Sequence, residues 1–315
     1  MPDPRPPGPV SPDGRLGSEE PLTRKAVRAT RVEPTGARPA PTDRANPTPR
    51  AGRNLYAAIG VGVLLGAVVI ASLFIREEFF VALVTLASVV GVAEMLRAMR
   101  HGHIHPPEVP VLAAAAAVPI VAYLWGSVAL AAAVVLAMLV VVLWRSFGPP
   151  PDAVIDAAAG IFVVLYVPTL IAFAILQLGE RHGPLRILTF VVVTVASDIG
   201  GYAVGVVFGK HPMAPSVSPK KSWEGFAGSA ISCVVVGSLA VALLLDGRWW
   251  IGAILGAITV VTATVGDLCE SMIKRDLGVK DMSNLIPGHG GLMDRLDSLL
   301  ITAPVAWAIL TPFVP

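Results

Sequence analysis

The sequence has few charged side chains and only two cysteines, and each shortage excludes a class of protein. Charged residues make up 15% of the 315, whereas a soluble globular domain carries about 25%. A chain with so little charge is too apolar to face water on all sides. The cysteines, Cys233 and Cys269, lie in or beside apolar runs and form no CxxC pair. We therefore expect neither a disulfide framework nor a cysteine metal site.

Residues 1–54 differ from the rest of the chain in composition. They are rich in Pro, Arg, Thr and Gly, contain almost no large apolar side chains, and hold ten of the 24 Lys and Arg residues. Such a segment cannot bury enough apolar surface to fold, so it is predicted to be a disordered basic cytosolic tail. The tail either attracts anionic lipid or acts as a solvated leader that fixes topology.

Long apolar runs fill the remainder of the chain. A membrane-spanning helix needs about 20 mostly apolar residues. The runs predict an all-α polytopic membrane protein with about nine transmembrane helices. The predicted spans are Leu55–Ile75, Phe79–Leu96, Val109–Trp125, Val128–Trp144, Ala153–Leu178, Leu185–Phe208, Gly225–Leu245, Trp249–Val265 and Leu299–Phe313.

The distribution of basic residues predicts the orientation of these spans. With the N-terminus in the cytosol, 20 of the 24 Lys and Arg residues fall on the cytosolic side. Cytosolic segments of membrane proteins carry such an excess. The sequence therefore predicts a cytosolic N-terminus and an outside C-terminus.

The stretch from 266 to 298 combines carboxylates, bases and glycines at the ends of two apolar runs. Residues at i, i+3, i+4 and i+7 share one helix face. Four polar residues have this spacing: Asp267, Glu270, Ser271 and Lys274. Asp294 and Asp297 repeat the i, i+3 spacing at the start of the last apolar run. A carboxylate in a bilayer costs about 2.5–3.5 kcal/mol or more, so these side chains are expected to face a polar cavity.

Acids and bases that share a cavity suit a polyphosphate held through a divalent cation. The glycines of the loop 287–291 would let backbone N–H groups approach phosphate oxygens. His289, in this loop, is a candidate phosphate donor, loop-shaping residue or general base. For Glu270 and Asp281 a structural ion-pair network is an equal alternative.

Residues within 271–297 and 218–225 form two blocks that resemble the phosphatidate cytidylyltransferase (CDP-diacylglycerol synthase) family. The first comprises Ser271–Arg275, Lys280–Asp281 and Pro287–Asp297, and it is similar to the family signature. The second, Ser218–Gly225, resembles another recurring block of the family. The resemblance is good from residue 185 to residue 315, which is predicted to be a transmembrane catalytic region following N-terminal helices at 55–184.

The resemblance implies an Mg²⁺-dependent enzyme that condenses CTP with phosphatidic acid to give CDP-diacylglycerol and pyrophosphate. It implies a homodimer in the lipid bilayer of the cell (inner) membrane, with the active site facing the cytosol, and no nucleic-acid partner. Asp267 and Asp294 would bind the metal, and a monovalent cation such as K⁺ is allowed alongside.

The resemblance and the charge pattern together give the candidate site residues. Those expected to be catalytic are Asp267, Asp294, Asp297, Lys274, Arg275, Lys280 and Arg295. Those expected to contact substrate are Ser218, Lys220, Lys221, Ser222, Glu224, Ser271, His289, Gly290, Gly291 and Asp198. After Asp198 this chain has Ile199, Gly200 and Gly201 where the family commonly has Thr and Ala.

Two other functions are alternatives to a phosphatidate cytidylyltransferase. Intramembrane carboxylates and glycine-broken helices also occur in secondary transporters. Against a transporter, the charges cluster toward one face and no inverted repeat is visible in the sequence. The second rival is a cytidylyltransferase acting on another lipid phosphate, which a lipid-product assay would distinguish.

Overall fold

The computed structural model describes residues 55–149, 151–283, 285 and 290–314, and most of them are helical. The predicted disordered tail, residues 1–54, lies outside these ranges. The helices and strands are α1 (Leu55–Ile75), α2 (Glu77–His101), α3 (Glu108–Ser146), α4 (Ala153–Val164), a π-helical turn (Leu165–Thr169), α5 (Leu170–Leu178), α6 (Gly183–Phe208), β1 (Pro212–Ala214), β2 (Ser218–Ser222), α7 (Trp223–Leu244), α8 (Trp249–Asp276) and α9 (Met293–Phe313).

Seven helices of the described chain are long and apolar enough to cross a membrane, as in a multi-pass membrane protein. They are α2, α3, the continuous α4–α5 segment and α6 to α9. In α1 only a shorter apolar stretch, Gly62–Ile75, is found, and the predicted third and fourth spans are the two halves of α3, which is interrupted at Gly126. The predicted count of nine spans and the cytosolic N-terminus therefore stay predictions.

The segment α3 is interrupted at Gly126, where the backbone has φ 75° and ψ −164°. Glycine adopts this positive φ without the steric cost that other residues incur. The contacts of Gly160 in α4 show that the two halves fold back on each other, since Gly160 packs against both Val111 and Val141. In an uninterrupted helix those two valines would be roughly 45 Å apart.

Asp156 of α4 ties the two ends of this hairpin together. Its carboxylate accepts hydrogen bonds from the backbone N–H of His105 (2.8 Å) and from Nε of Arg145 (3.0 Å). The Asp156 and Arg145 side chains are only 7% and 13% exposed. Removing either partner would leave the other charge poorly solvated, so the pair fixes the fold of α3.

The helices α6 to α9 pack closely through small residues. A methyl group added at Gly225 of α7 would lie 3.0 Å from the carbonyl oxygen of Gly201 in α6. A methyl group at Gly266 of α8 would lie 3.1 Å from the carbonyl carbon of Asp297 in α9. Such contacts let backbones approach in apolar surroundings, where packing rather than water exclusion drives helix association. The result is a fixed spacing between the helix ends that carry the predicted site.

The structure adds a short hairpin to the predicted all-α fold and corrects the start of the last helix. The segment between α6 and α7 forms an antiparallel hairpin, β1–β2, within an otherwise all-α fold. Prolines 212, 215 and 219 remove backbone donors there and exclude a helix. The last helix begins at Met293 rather than at Leu299, so Asp294 lies in its first turn. A carboxylate is favourable in the first turn because of the helix dipole.

Candidate active site

A cavity of about 580 Å³ lies among α6, β2, α7, α8 and α9. Ten residues predicted from the sequence line it: Asp198, Ser218, Lys220, Lys221, Ser222, Asp267, Lys274, Asp294, Arg295 and Asp297. Residues far apart in the sequence, from the two blocks that resemble the family, therefore meet in one space. This convergence is the main geometric feature of the molecule.

Five of the lining residues are aspartates, Asp281 and Asp294 among them, and the other three lie on three different helices. Asp198 is on α6, Asp267 on α8 and Asp297 on α9. The close contact of Gly266 with the Asp297 backbone holds α8 and α9 together at this level. Asp297 also accepts a hydrogen bond from the backbone N–H of Ser298 (2.7 Å), which fixes its rotamer. Clustered carboxylates repel one another, so this side of the cavity attracts cations.

A lysine on the hairpin faces these acids. Nζ of Lys221 forms an ion pair with Oδ2 of Asp267, linking β2 to α8. Ser222, the next residue, ends the strand and caps α7 by accepting a hydrogen bond from the N–H of Gly225 (3.1 Å). The cap fixes where β2 meets α7 and thereby places Lys221 across from the carboxylates.

Asp294 is more enclosed than Asp267 and has more partners. Its Oδ1 accepts from Nζ of Lys274 (2.7 Å), and its Oδ2 accepts from the N–H groups of Gly291 (2.7 Å) and Met282 (3.1 Å). The side chain is 7% exposed, against 36% for Asp267. Nζ of Lys274 also lies 3.2 Å from the fully buried Glu270, as the structural alternative for Glu270 predicts. Asp294 thus both lines the cavity and organises the loop before α9.

Sequence reasoning missed Glu94, a carboxylate on α2 that reaches the same loop. Its Oε1 accepts hydrogen bonds from Oγ of Ser283 (2.5 Å) and the N–H of Leu292 (3.1 Å), and its Oε2 accepts from the N–H of Met293 (2.8 Å). Glu94 is completely buried. The available signal was a lone carboxylate in an apolar run, because such a residue needs polar partners.

Other predicted residues are placed outside the lining of the cavity. Those in the described chain are Arg275, Lys280, Ser271, Glu224, Gly290 and Gly291. Glu224 contacts Nδ1 of His211 (2.5 Å) and accepts from the N–H of Lys210 (3.1 Å), which ties it to the start of the hairpin. Gly290 has φ 81°, and a methyl group there would lie 2.9 Å from Oδ2 of Asp294. His289 lies outside the described residues.

Close packing of α7 on α6 requires small residues after Asp198. A methyl group at Gly201 would lie 2.5 Å from Oγ of Ser229 on α7, and Ser229 in turn donates to the carbonyl of Ser197 (2.6 Å). Ser197 and Ser229 both line the cavity and were not predicted. Glycine at this position thus allows α7 to approach α6 beside Asp198.

The donor set suits Mg²⁺ only in combination with a substrate. Among the residues that the structure describes, no group of three or more His, Cys, Asp or Glu side chains is arranged to hold a metal ion. Mg²⁺ is commonly held by one or two carboxylates together with substrate phosphates, so such a group is not required. Asp267, open to the cavity beside two further aspartates, fits this mode.

Comparison with known proteins gives consistent matches. A model described as "Cytidylyltransferase family" matches residues 56–313. A phosphatidate cytidylyltransferase of Mycobacterium bovis is 42% identical over 289 residues, covering 87% of this chain and 94% of that protein. One from Mycobacterium leprae is 41% identical over 281 residues, covering 84% and 90%. One from Haemophilus influenzae is 44% identical over 128 residues, covering 39% of this chain and 44% of that protein.

Proposed function

The chain belongs to the cytidylyltransferase family, and we propose that it transfers the cytidylyl group of CTP to phosphatidic acid, forming CDP-diacylglycerol and pyrophosphate. The observation that carries this proposal is the convergence of aspartates and lysines from α6, β2, α8 and α9 on one cavity. A nucleoside triphosphate and a lipid phosphate are both anionic, so a site for them needs fixed bases and metal-binding acids. Both kinds of group are present in the lining.

In the proposed reaction a phosphatidate oxygen attacks the α-phosphorus of CTP. A new P–O bond forms, the bond between the α-phosphorus and the bridging oxygen breaks, and pyrophosphate leaves with that electron pair. The nucleophile is already an anion, so the protein need not supply a strong general base. Catalysis then depends on positioning the two substrates and on offsetting their charge.

Lysines and arginines of the cavity supply the positive charge for the substrates. We assign Lys274 and Arg295 of the lining, together with Arg275 and Lys280 outside it, to the triphosphate and the departing pyrophosphate. Lys220 and Lys221, together with Ser218 and Ser222, are assigned to the lipid phosphate or to the far end of CTP. Support for this division comes from position, since Lys274 and Arg295 are on α8 and α9 and the second set is on β2.

We further propose that the enzyme requires Mg²⁺, held by Asp267 and Asp294, with Asp297 orienting them or Arg295. When bound, the ion would offset part of the negative charge of the triphosphate. Asp267 is the more open of the two ligands, and Asp294 would exchange Lys274 for the ion. A monovalent cation such as K⁺ would be accommodated among the remaining carboxylates.

Cellular placement is also part of the proposal. Basic residues predominate in the segments assigned to the inside, and on that basis the cavity opens to the cytosol from the cell (inner) membrane. Exposed apolar side chains at the end of α6, Val206, Val207 and Phe208, would contact lipid beside the cavity. A homodimer in the membrane completes the proposed assembly.

The test is transfer of labelled CTP into chloroform-soluble lipid by purified protein with phosphatidic acid and Mg²⁺. We expect labelled CDP-diacylglycerol with the parent, loss of about 100-fold or more in Asp294→Asn, and parental activity in Asp276→Asn. Asp276 is an exposed aspartate at the end of α8 and serves as the matched control. Transfer of label to another lipid phosphate but not to phosphatidic acid would show that the acceptor substrate is that other lipid. No transfer of label to any acceptor would refute the proposed transferase activity and favour a transporter.

A further inference from the structure

Glu94 is the single charged residue between Phe79 and Leu96, and it is completely buried. All of its described partners lie outside α2. They are Oγ of Ser283 (2.5 Å), the N–H of Leu292 (3.1 Å) and the N–H of Met293 (2.8 Å). A buried carboxylate with three donors is stabilised in one position, so Glu94 and the loop hold each other.

The donors that Glu94 satisfies lie at the start of α9. A helix leaves the N–H groups of its first turn without partners inside the helix, and Leu292, at the N-cap position, has no side-chain acceptor to offer. Glu94 accepts from two backbone groups at this point, and its negative charge is favourable near the positive end of the helix dipole. A residue from α2 thus performs the capping that a residue of α9 ordinarily performs.

This cap lies directly beside a residue of the cavity. Asp294 follows Met293, and it accepts from the N–H groups of Gly291 and Met282. Glu94 contacts the neighbours of those same two residues, Leu292 and Ser283. The two carboxylates therefore bind the same two short stretches, 282–283 and 291–293.

The contact leaves no room for a larger residue at Gly291. A methyl group there would lie 2.7 Å from Oε2 of Glu94 and 3.0 Å from Oγ of Ser283. The glycine of the signature loop thus has a packing partner on α2, outside the C-terminal region. The loop and Glu94 fit as one unit.

We propose that Glu94 is a positioning residue for the transfer reaction, acting by fixing the start of α9 and hence the carboxylate of Asp294. This role rests on the proposed function, whereas the hydrogen bonds that carry it do not. The competing explanation is that Glu94 only fastens α2 to α9 and leaves Asp294 in place when removed. In protein that remains folded, the positioning role predicts that loss of the Glu94 contact lowers kcat, whereas the competing explanation predicts that kcat is unchanged.

The deciding variant is Glu94→Gln, which keeps the side-chain volume but has an NH₂ group that cannot accept from a backbone N–H. Hydrogen exchange by mass spectrometry on the purified protein should show about tenfold faster exchange of the amides at 291–293, followed in peptides that cover 290–297. The same preparation should show a kcat about tenfold or more lower and a higher Mg²⁺ concentration at half-maximal rate, with the KM for phosphatidic acid unchanged. Glu77→Gln, an exposed glutamate of the same helix, should behave as the parent in both measurements.

Ser283→Ala removes the hydroxyl that donates to the Glu94 carboxylate, and this variant replaces Glu94→Gln in the experiment if Glu94→Gln fails to fold. It should shift exchange and kcat in the same direction by a smaller factor. Faster exchange with parental kcat and parental Mg²⁺ response would overturn the positioning role and leave a helix fastener. Unchanged exchange would overturn the contact itself. If the parent transferred no cytidylyl group, the proposed function would fail while the exchange comparison still decided whether Glu94 fixes the loop.

Discussion

The contact between α8 and α9 at Gly266 sets the distance between Asp267 and Asp297, and Gly266→Ala should disturb it. The new methyl group would overlap the carbonyl oxygen of Asp297 and lie 3.1 Å from its carbonyl carbon and 3.2 Å from Cα of Ser298. Non-bonded carbons are most favourable at about 3.5–4.0 Å, so the two backbones must separate by roughly 0.5 Å or more. These neighbours are all backbone atoms and cannot rotate away.

The expected effect of Gly266→Ala has two parts. Overpacking costs about 1–3 kcal/mol of stability. A displacement approaching 1 Å in a site that works by positioning reduces the rate by up to about 100-fold. We therefore expect kcat/KM for CTP to fall by about ten- to 100-fold, together with a lower midpoint of thermal unfolding measured by size-exclusion chromatography.

Two glycine variants serve as controls for this prediction. Gly66→Ala adds the same methyl group in α1, where nothing lies within 4 Å, and it should leave both measurements unchanged. Gly252→Ala strains the α7–α8 contact, with the methyl group 2.8 Å from Cα of Ser238, and should lower stability without changing kcat/KM of the folded fraction. Parental activity in Gly266→Ala, or an equal loss of kcat/KM in Gly252→Ala, would refute the assignment of rate to the α8–α9 spacing.

Three further predictions concern other parts of the site and fold. Lys221→Met removes a charge-assisted contact and should raise the KM for CTP or for phosphatidic acid about tenfold. Lys210 is an exposed lysine before the hairpin, and Lys210→Met should raise neither KM. Unchanged KM values for Lys221→Met would show that Lys221 does not bind substrate. Asp156→Asn breaks the enclosed ion pair with Arg145 and should lower the unfolding temperature, while the folded fraction keeps its KM for CTP. A changed KM for CTP would mean that the α3 hairpin affects the candidate active site. Chelation with EDTA should abolish transfer and excess Mg²⁺ should restore it, so activity that persists in EDTA would contradict the metal requirement.

The sequence allowed the apolar helices and many of the residues that line the cavity to be predicted, because both depend largely on local patterns. Apolar runs identify helices without knowledge of their partners, and the predicted α6 span differs from the observed one by only two residues at its start. Spacing along one helix places Asp267 and Lys274 on one face, and both line the cavity. Family resemblance added the β2 lysines, which periodicity alone would not have connected to α8.

What escaped prediction depends on contacts between distant segments. Glu94 is 189 residues from Ser283, and nothing in the local pattern of α2 indicates which loop it meets. The hairpin β1–β2 contains three prolines and reads as a loop until its pairing is seen. The early start of α9 was hidden because Asp294 and Asp297 interrupt the apolar run, although both are compatible with the first turns of a helix.

The pairing of acids and bases explains how this cavity exists within a bundle of apolar helices. Each aspartate proposed to bind metal has a lysine partner from another element, Lys221 for Asp267 and Lys274 for Asp294. An unpaired carboxylate in such surroundings would carry a large desolvation cost, and a lysine offsets part of it. The same lysines are the groups that phosphates would attract, since an ammonium group binds either anion through the same donors. Stability of the fold and affinity for substrate therefore depend on shared residues, and a lysine substitution at either position should affect both.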